Sequence, residues 1–196
     1  HAVMRQFDHL VIENDGKYEK EAPLAPIDWE SATREELVDF MMNAGIVGCG
    51  GAGFPTYIKY KNPQNIDTLI INAVECEPYI TADYRSISDN LDDLVLGVRA
   101  MLKMSTAKEA WIGIKSPKKE LIAKIRAALV GVPNVFVKEV PDVYPMGWER
   151  TLVYQLLKKR YDRLPSEIGC VVNNATTAIA FAHALRTGMP ITEKLM

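Results

Sequence analysis

Apolar positions along this chain follow two alternating rhythms. Short unbroken apolar runs, the pattern of a buried parallel strand, occur at residues 67–74 (DTLIINAV), 110–115 (AWIGIK) and 135–140, with a shorter one at 170–172. Between them, apolar residues recur at helical spacing: Leu91, Leu94, Val95, Val98 and Leu102, then Leu121, Ile125 and Leu129, then Leu152, Val153, Leu156 and Leu157. The helices carry end signals. Thr33 opens one with Glu36 as its capping-box partner; Leu37, Val38 and Met41 form its stripe, and Gly45 ends it. Pro117 suits the first position of the helix that Gly131 and Pro133 stop. Gly147 starts another that ends in Lys158-Lys159-Arg160, cations that suit a helix C-terminus. The run at 170–172 delivers Asn173 and Asn174 to a strand end, and a last helix covers 177–186. Strand–helix–strand–helix–strand predicts an α/β fold: a parallel sheet with right-handed crossovers and flanking helices.

The N-terminal part differs. Residues 3–13 read as a short extended segment that ends at the turn Asn14-Asp15-Gly16, and a linker marked by Pro23 and Pro26 follows. This start reads as the tail of something larger. The 196 residues suffice for one good-sized domain, and 48% hydrophobic content supports a real core. A net charge of -2 without a basic stripe argues against nucleic acid as a partner. Cys49, Cys76 and Cys170 are odd in number and far apart. They form neither a disulfide framework nor a CxxC metal pair, which points to a reducing, cytoplasmic setting. No apolar run is long enough to span a bilayer.

Candidate chemistry concentrates in four places. The first is Gly48-Cys49-Gly50-Gly51-Ala52-Gly53-Phe54-Pro55-Thr56. Glycine admits φ > 0 and close approach of a ligand to the main chain, and successive N–H groups in such a turn can face one anion. The loop suits a phosphorylated, planar cofactor; the alternative is a tight turn. It fits G-x-G-x-x-G at Gly48, Gly50 and Gly53, with Glu75 further on at a strand end, but no strand precedes it. No Lys follows its last glycine directly, so it is not a P-loop. The second is Asn72-Ala73-Val74-Glu75-Cys76-Glu77-Pro78-Tyr79, beyond the first strand, where open α/β sheets bind ligands; the alternative is a solvated acidic turn. The third is Tyr144-Pro145-Met146-Gly147-Trp148-Glu149-Arg150, a loop running into a helix. The fourth is Asn173-Asn174-Ala175-Thr176-Thr177, where the asparagines could equally be helix caps. All four are expected on one edge of the sheet. They offer amides, hydroxyls and carboxylates but no metal cluster and no Ser-His-Asp or Cys-His set. His9 lies apart, and His183 in an Ala-rich helix reads as packing. That inventory suits a cofactor that carries the chemistry.

GxGGAGFPT, NAVECEPY-x-TADYR, YPxGxE and VxNxxT, in this order, resemble the C subunit of the Rnf electron-transport complex and, more distantly, the NADH-binding flavoprotein subunit of respiratory complex I. Within that family the chain is most similar to Rnf-C-like electron-transfer proteins associated with proline reductase. The resemblance runs from about Val11 to the end. It implies a Rossmann-like domain that binds FMN and accepts hydride from NADH, with residues 1–30 a remnant linked to a preceding domain and 31–196 the FMN/NADH-binding domain of a longer protein. Carried over by motif, Gly48, Gly50, Gly51 and Gly53 would line the flavin, with Lys59 near its phosphate. Asn72 and Glu75 would contact the ribityl chain and ring; Tyr144, Gly147, Asn173, Asn174 and Thr177 would complete the flavin site. Phe54, Glu77 and Glu149 would face the nicotinamide dinucleotide. No general base is required.

Where the complex I pattern has Arg, an acid and a second Glu, this chain has Cys49, Val74 and Trp148. The Rnf-type branch accepts apolar residues at the first position. These replacements remove charge from the pocket and bear on the dinucleotide more than on the flavin. Full-length relatives carry further domains and, in the Rnf protein, iron–sulfur motifs. The resemblance therefore places the electron acceptor in a redox partner or iron–sulfur domain outside 31–196, with proline reductase or membrane Rnf subunits as partners at the inner membrane face. Two other readings stand beside it. One is a docking domain that has lost its cofactor, with Trp148 filling the pocket. The other is a plain NAD-binding domain, which requires a strand directly before Gly48.

Overall fold

The computed structural model describes residues 11–17, 19, 22–51, 53–77 and 79–190. Four parallel strands, β1 (Thr68–Asn72), β2 (Glu109–Lys115), β3 (Val135–Val140) and β4 (Cys170–Asn174), form one sheet in the order β3-β2-β1-β4. The predicted apolar runs all lie on these strands, and the parallel α/β architecture follows. Alternation divides each strand between two layers. Leu69 and Ile71 face the larger core, packed by α1 (Arg34–Asn43), α4 (Leu91–Ser105), α5 (Lys119–Ala128) and α7 (Ala175–Thr187). Ile70 faces a smaller cluster with Leu152 and Val153 of α6 (Glu149–Leu157). A short α2 (Ile58–Lys61) follows the glycine loop and α3 (Ala82–Asp89) precedes α4.

Local signals account for most boundaries. The Thr33–Glu36 capping box is complete in both directions, and Gly45 just past α1 takes φ 64°. The apolar face expected from Leu91 onward is α4, set off from α3 at Asn90. Two starts shift by two residues. Pro117 lies in the turn before α5, which begins at Lys119, and Gly147 precedes α6, which begins at Glu149. In both cases the breaker itself stands in a turn, and one more residue precedes the helix. His183 is exposed on the outer side of α7 rather than packed, because Phe181, Ala182, Ala184 and Leu185 take the buried positions around it.

The expected extended segment 3–13 lies largely outside the described residues; residues 11–13 are exposed and irregular. The turn at 14–16 is present, with Gly16 N–H donating to Asn14 Oδ1. The Pro-marked linker is irregular but docked. Leu24 N–H donates to Gly188 O at 2.8 Å, Arg99 stacks on Trp29 at 4.6 Å, and Lys103 Nζ donates to the Trp29 and Glu30 carbonyls. Among the described residues, no helix is long and apolar enough to cross a membrane.

The tightest helix crossing is α4 on α7. A Cβ built on Gly97 would lie 2.0 Å from the Ala178 carbonyl oxygen, so only glycine permits this approach. Gly97→Ala should destabilise the chain by about 3 kcal/mol. Urea unfolding should show a lowered midpoint at unchanged slope.

Candidate functional site

The strand order places a reversal of direction between β1 and β4, whose last residues, Asn72 and Asn174, are register partners. Crevices beyond such a reversal are where open α/β sheets take ligands. Asn174 caps α7, its Oδ1 accepting from Thr176 and Thr177 N–H at 2.8 and 3.4 Å. Its Nδ2 donates to Asp83 Oδ2 at 3.0 Å, and Thr176 Oγ1 donates to the other Asp83 oxygen at 2.7 Å. Asp83 stands in the first turn of α3, whose N-terminus is capped from a distance: Glu75 Oε1 accepts from Asp83 and Tyr84 N–H at 2.9 and 3.3 Å. Burial pushes the Glu75 carboxyl up against these stabilising bonds.

The glycine loop leans on the same corner. Cys49 N–H donates to Thr177 Oγ1 at 2.9 Å, and a Cβ on Gly50 would lie 3.4 Å from Asn174 Cβ. Gly51 and Gly53 take φ of 147° and 62°, the region that favours glycine. Before the loop there is only an isolated bridge, Val47 to Pro55, so the strand that a plain NAD-binding domain requires is missing there. Asn173 points to the opposite side of the sheet from Asn174. It is 4% exposed and donates through Nδ2 to the hydroxyl of fully buried Tyr60.

The segment before α6 forms the other wall. Asn72 Nδ2 donates to Gly147 O at 2.9 Å, and its Oδ1 accepts from Val74 N–H at 2.9 Å. A Cβ on Gly147 would fall 2.4 Å from Val74 O, so this glycine serves close packing against the 74–76 backbone. Tyr144 and Trp148 meet edge to face at 6.0 Å. Trp148 is 56% exposed and does not fill the pocket, which removes one of the motives, beside Cys49 and Val74, for a domain that lost its cofactor.

Two cavities with different linings flank this segment. One, of about 370 Å³, includes Glu75, Cys76, Glu77, Lys118 and Tyr144. The other, of about 250 Å³, includes Phe54, Lys59, Glu149, Leu164, Cys170 and Val172. In the second, Lys59 Nζ donates to Val172 O, and Glu149 Oε1 accepts from Tyr161 OH at 2.9 Å. Burial lowers the Lys59 ammonium from its ordinary 10.5, and Glu149 works against that shift. The structure thus brings Gly48, Gly50, Asn72, Glu75, Gly147, Asn174 and Thr177 to one edge. It puts Phe54, Lys59 and Glu149 on one cavity but Glu77 and Tyr144 on the other. Sequence reasoning did not single out Asp83, Thr176 or Tyr161. The first two lie inside the motifs, but their partners are far away in sequence, and Tyr161 lies outside every motif. Among the described residues, no group of His, Cys, Asp and Glu could hold a metal ion.

The family model of the Nuo51 FMN-binding domain matches residues 41–183. This chain belongs to that family. The matched span runs from α1 into α7 and contains all four motifs. The chain is 37% identical over 191 residues to the C subunit of the proton-translocating ferredoxin:NAD(+) oxidoreductase complex of Clostridium ljungdahlii, covering 95% of itself and 42% of that protein. To the C subunit of the ion-translocating oxidoreductase complex of Serratia proteamaculans it is 36% identical over 192 residues, covering 95% of itself and 27% of the relative. It therefore spans less than half the length of these relatives. The fold is shared with an NAD+-reducing [NiFe]-hydrogenase in the air-oxidized state: TM-score 0.72 at 24% identity, over 79% of this chain and 31% of that one. The likeness to the Nuo51 domain and to these two relatives agrees with the resemblance read from the motifs.

Cys170, on the floor of the second cavity, is fully buried, and its thiol is pushed up to about 12, by burial first and then by the charge of Glu149. It should stay unmodified by a thiol reagent at pH 8 until the chain is unfolded. Between the ordinary 9.0 and about 12, the unfolded chain loses this proton before the folded one, so the contribution of Cys170 to stability falls with rising pH. Thiol counting with and without denaturant, followed by peptide mapping, checks the assignment.

Proposed function

We propose that this chain is a flavin-binding electron-transfer module that takes hydride from NADH onto FMN and passes electrons to a redox partner. The observation that carries the reading is Lys59, a largely buried cation on a cavity beside the glycine loop. A buried ammonium with one carbonyl partner still has hydrogens to give, and a phosphate is the chemistry that would satisfy them. The glycine loop fits the rest of such a ligand. Its backbone approaches Asn174 at the N-terminus of α7, and nothing stands within 4 Å of the outward direction at Gly51 and Gly53. Family membership and the likeness to the clostridial relative support the same cofactor.

In this reading Gly48, Gly50, Gly51 and Gly53 hold the flavin, with Asn72, Glu75, Tyr144, Gly147, Asn173, Asn174 and Thr177 around it. Asn173 would act by fixing the strand end from the core side. Phe54 and Glu149 meet the dinucleotide on the Lys59 cavity, and Glu77 meets it from the neighbouring one. Bound FMN supplies the redox chemistry, and the protein's contribution is orientation and exclusion of water. The names of the relatives support a place in an ion-translocating oxidoreductase complex. In this reading the module works at the inner face of the membrane, with an iron–sulfur domain or another protein of the complex as acceptor. Proline reductase is the alternative partner.

FMN should bind more tightly than riboflavin, and Lys59→Gln should remove about 10-fold or more of that advantage, the worth of a charge-assisted hydrogen bond. The advantage needs the protonated amine, so it should be lost as pH rises through the lowered pKa of Lys59, at a lower pH than an ordinary lysine would lose it. Flavin fluorescence quenching measures both, and a flat titration at tens of micromolar contradicts the reading. In stopped-flow absorbance, Glu149→Ala and Glu77→Ala should slow NADH reduction of bound flavin about 10-fold or more while changing flavin affinity little. Equal loss of both would contradict the roles given to these carboxylates.

A further inference from the structure

The second cavity carries two opposite charges that do not pair. Lys59 Nζ bonds to Val172 O and Glu149 Oε1 to Tyr161 OH, yet the ammonium feels the charge of Glu149 and both line the same space. Left to itself, a largely buried ammonium draws a carboxylate on the same cavity toward it, because the ammonium is poorly solvated there while Glu149 stands on the exposed side.

What holds Glu149 back is anchored. Tyr161 is 8% exposed and its ring lies under the Arg150 guanidinium at 4.7 Å. Arg150 also donates to the Tyr161 and Asp162 carbonyls at 2.8 and 2.7 Å. Downstream, the Glu167 carboxylate accepts from the N–H groups of Asp162, Arg163 and Leu164 at 2.9 to 3.0 Å. The strap from Tyr161 to Leu164 is thus bonded through carbonyls on one side and amides on the other, and Leu164 lines the cavity. Its rigidity fixes the phenol hydroxyl, and the hydroxyl fixes the carboxylate.

We propose that Tyr161 is a positioning residue: by bonding Glu149 it keeps the Lys59–Glu149 ion pair open, so that both charges face the ligand. The proposal rests on the flavin reading above and adds a residue that none of the four motifs contains. It predicts a reversal that a merely structural tyrosine would not produce. Tyr161→Phe keeps the ring but frees Glu149 to pair with Lys59, and the phosphate then has to compete for the ammonium. In the Tyr161→Phe, Glu149→Ala double variant no carboxylate remains to compete.

The experiment compares the dissociation constants of FMN and riboflavin for the wild-type chain, both single variants and the double variant, by fluorescence quenching at pH 7. Tyr161→Phe should shrink the FMN advantage by about 5- to 10-fold, and the double variant should regain it. Arg150→Met, which loosens the strap but keeps the hydroxyl, should move it in the same direction by less, and it stands in if Tyr161→Phe does not fold. A wild-type chain without any FMN advantage overturns the flavin reading and this inference with it. An intact wild-type advantage that Tyr161→Phe leaves untouched, or that the double variant fails to regain, overturns the role of Tyr161 alone.

Discussion

Asn174 stands where β4 ends and α7 begins, and its amide works in both directions. The oxygen closes the first turn of α7, and the nitrogen reaches Asp83 at the start of α3. Its backbone is paired in register with Asn72, and Gly50 rests against its Cβ. Only a side chain that accepts and donates at once can do this. Aspartate would cap the helix but face Asp83 with a like charge. Serine would cap it but not span the distance. The other contacts build outward from this residue: Asp83 also holds Thr176, its amide and that of Tyr84 hold Glu75, and Thr177 receives the glycine loop through Cys49.

The strands were legible because a sheet covered on both faces leaves unbroken apolar runs, and such runs are hard to mistake when helical spacing separates them. The capping box at Thr33 was legible because both partners lie within one turn. What escaped was everything that depends on distance in space. Nothing local at Asp83 announces an asparagine 91 residues away. Nothing at Gly147 announces that its missing side chain makes room for Val74 O. His183 misled because the Ala-rich composition of α7 suggested packing all round, whereas the helix has an outer side and the histidine falls on it. The linker read from Pro23 and Pro26 is irregular, as proline demands, but Leu24, Ile27 and Trp29 still pack against the core.

Glycine density drew attention to a loop whose glycines serve different ends. Gly50 sets a clearance against Asn174, Gly51 and Gly53 supply conformations that other residues adopt at a cost, and Gly147, in a different motif, is required by packing alone. A motif letter does not distinguish these. The position of the loop over the N-terminus of α7, beside a buried cation, gives the flavin reading more support than the number of its glycines.

The division of the site into two cavities bears on how one ligand set could use it. Tyr144 lines one and Glu149 the other, although five positions separate them, so the segment leading into α6 is a wall common to both. A small molecule held on one side would leave Glu77 or Glu149 without a role. A flat ring together with an extended dinucleotide could touch both, which is the reason Phe54, Glu77 and Glu149 remain one group in the proposal. Gly147 fixes the height of that wall, because the segment can sit no closer to the 74–76 backbone and, with any side chain, could not sit so close. The shape of both cavities therefore depends on one contact between two loops that lie far apart in the sequence.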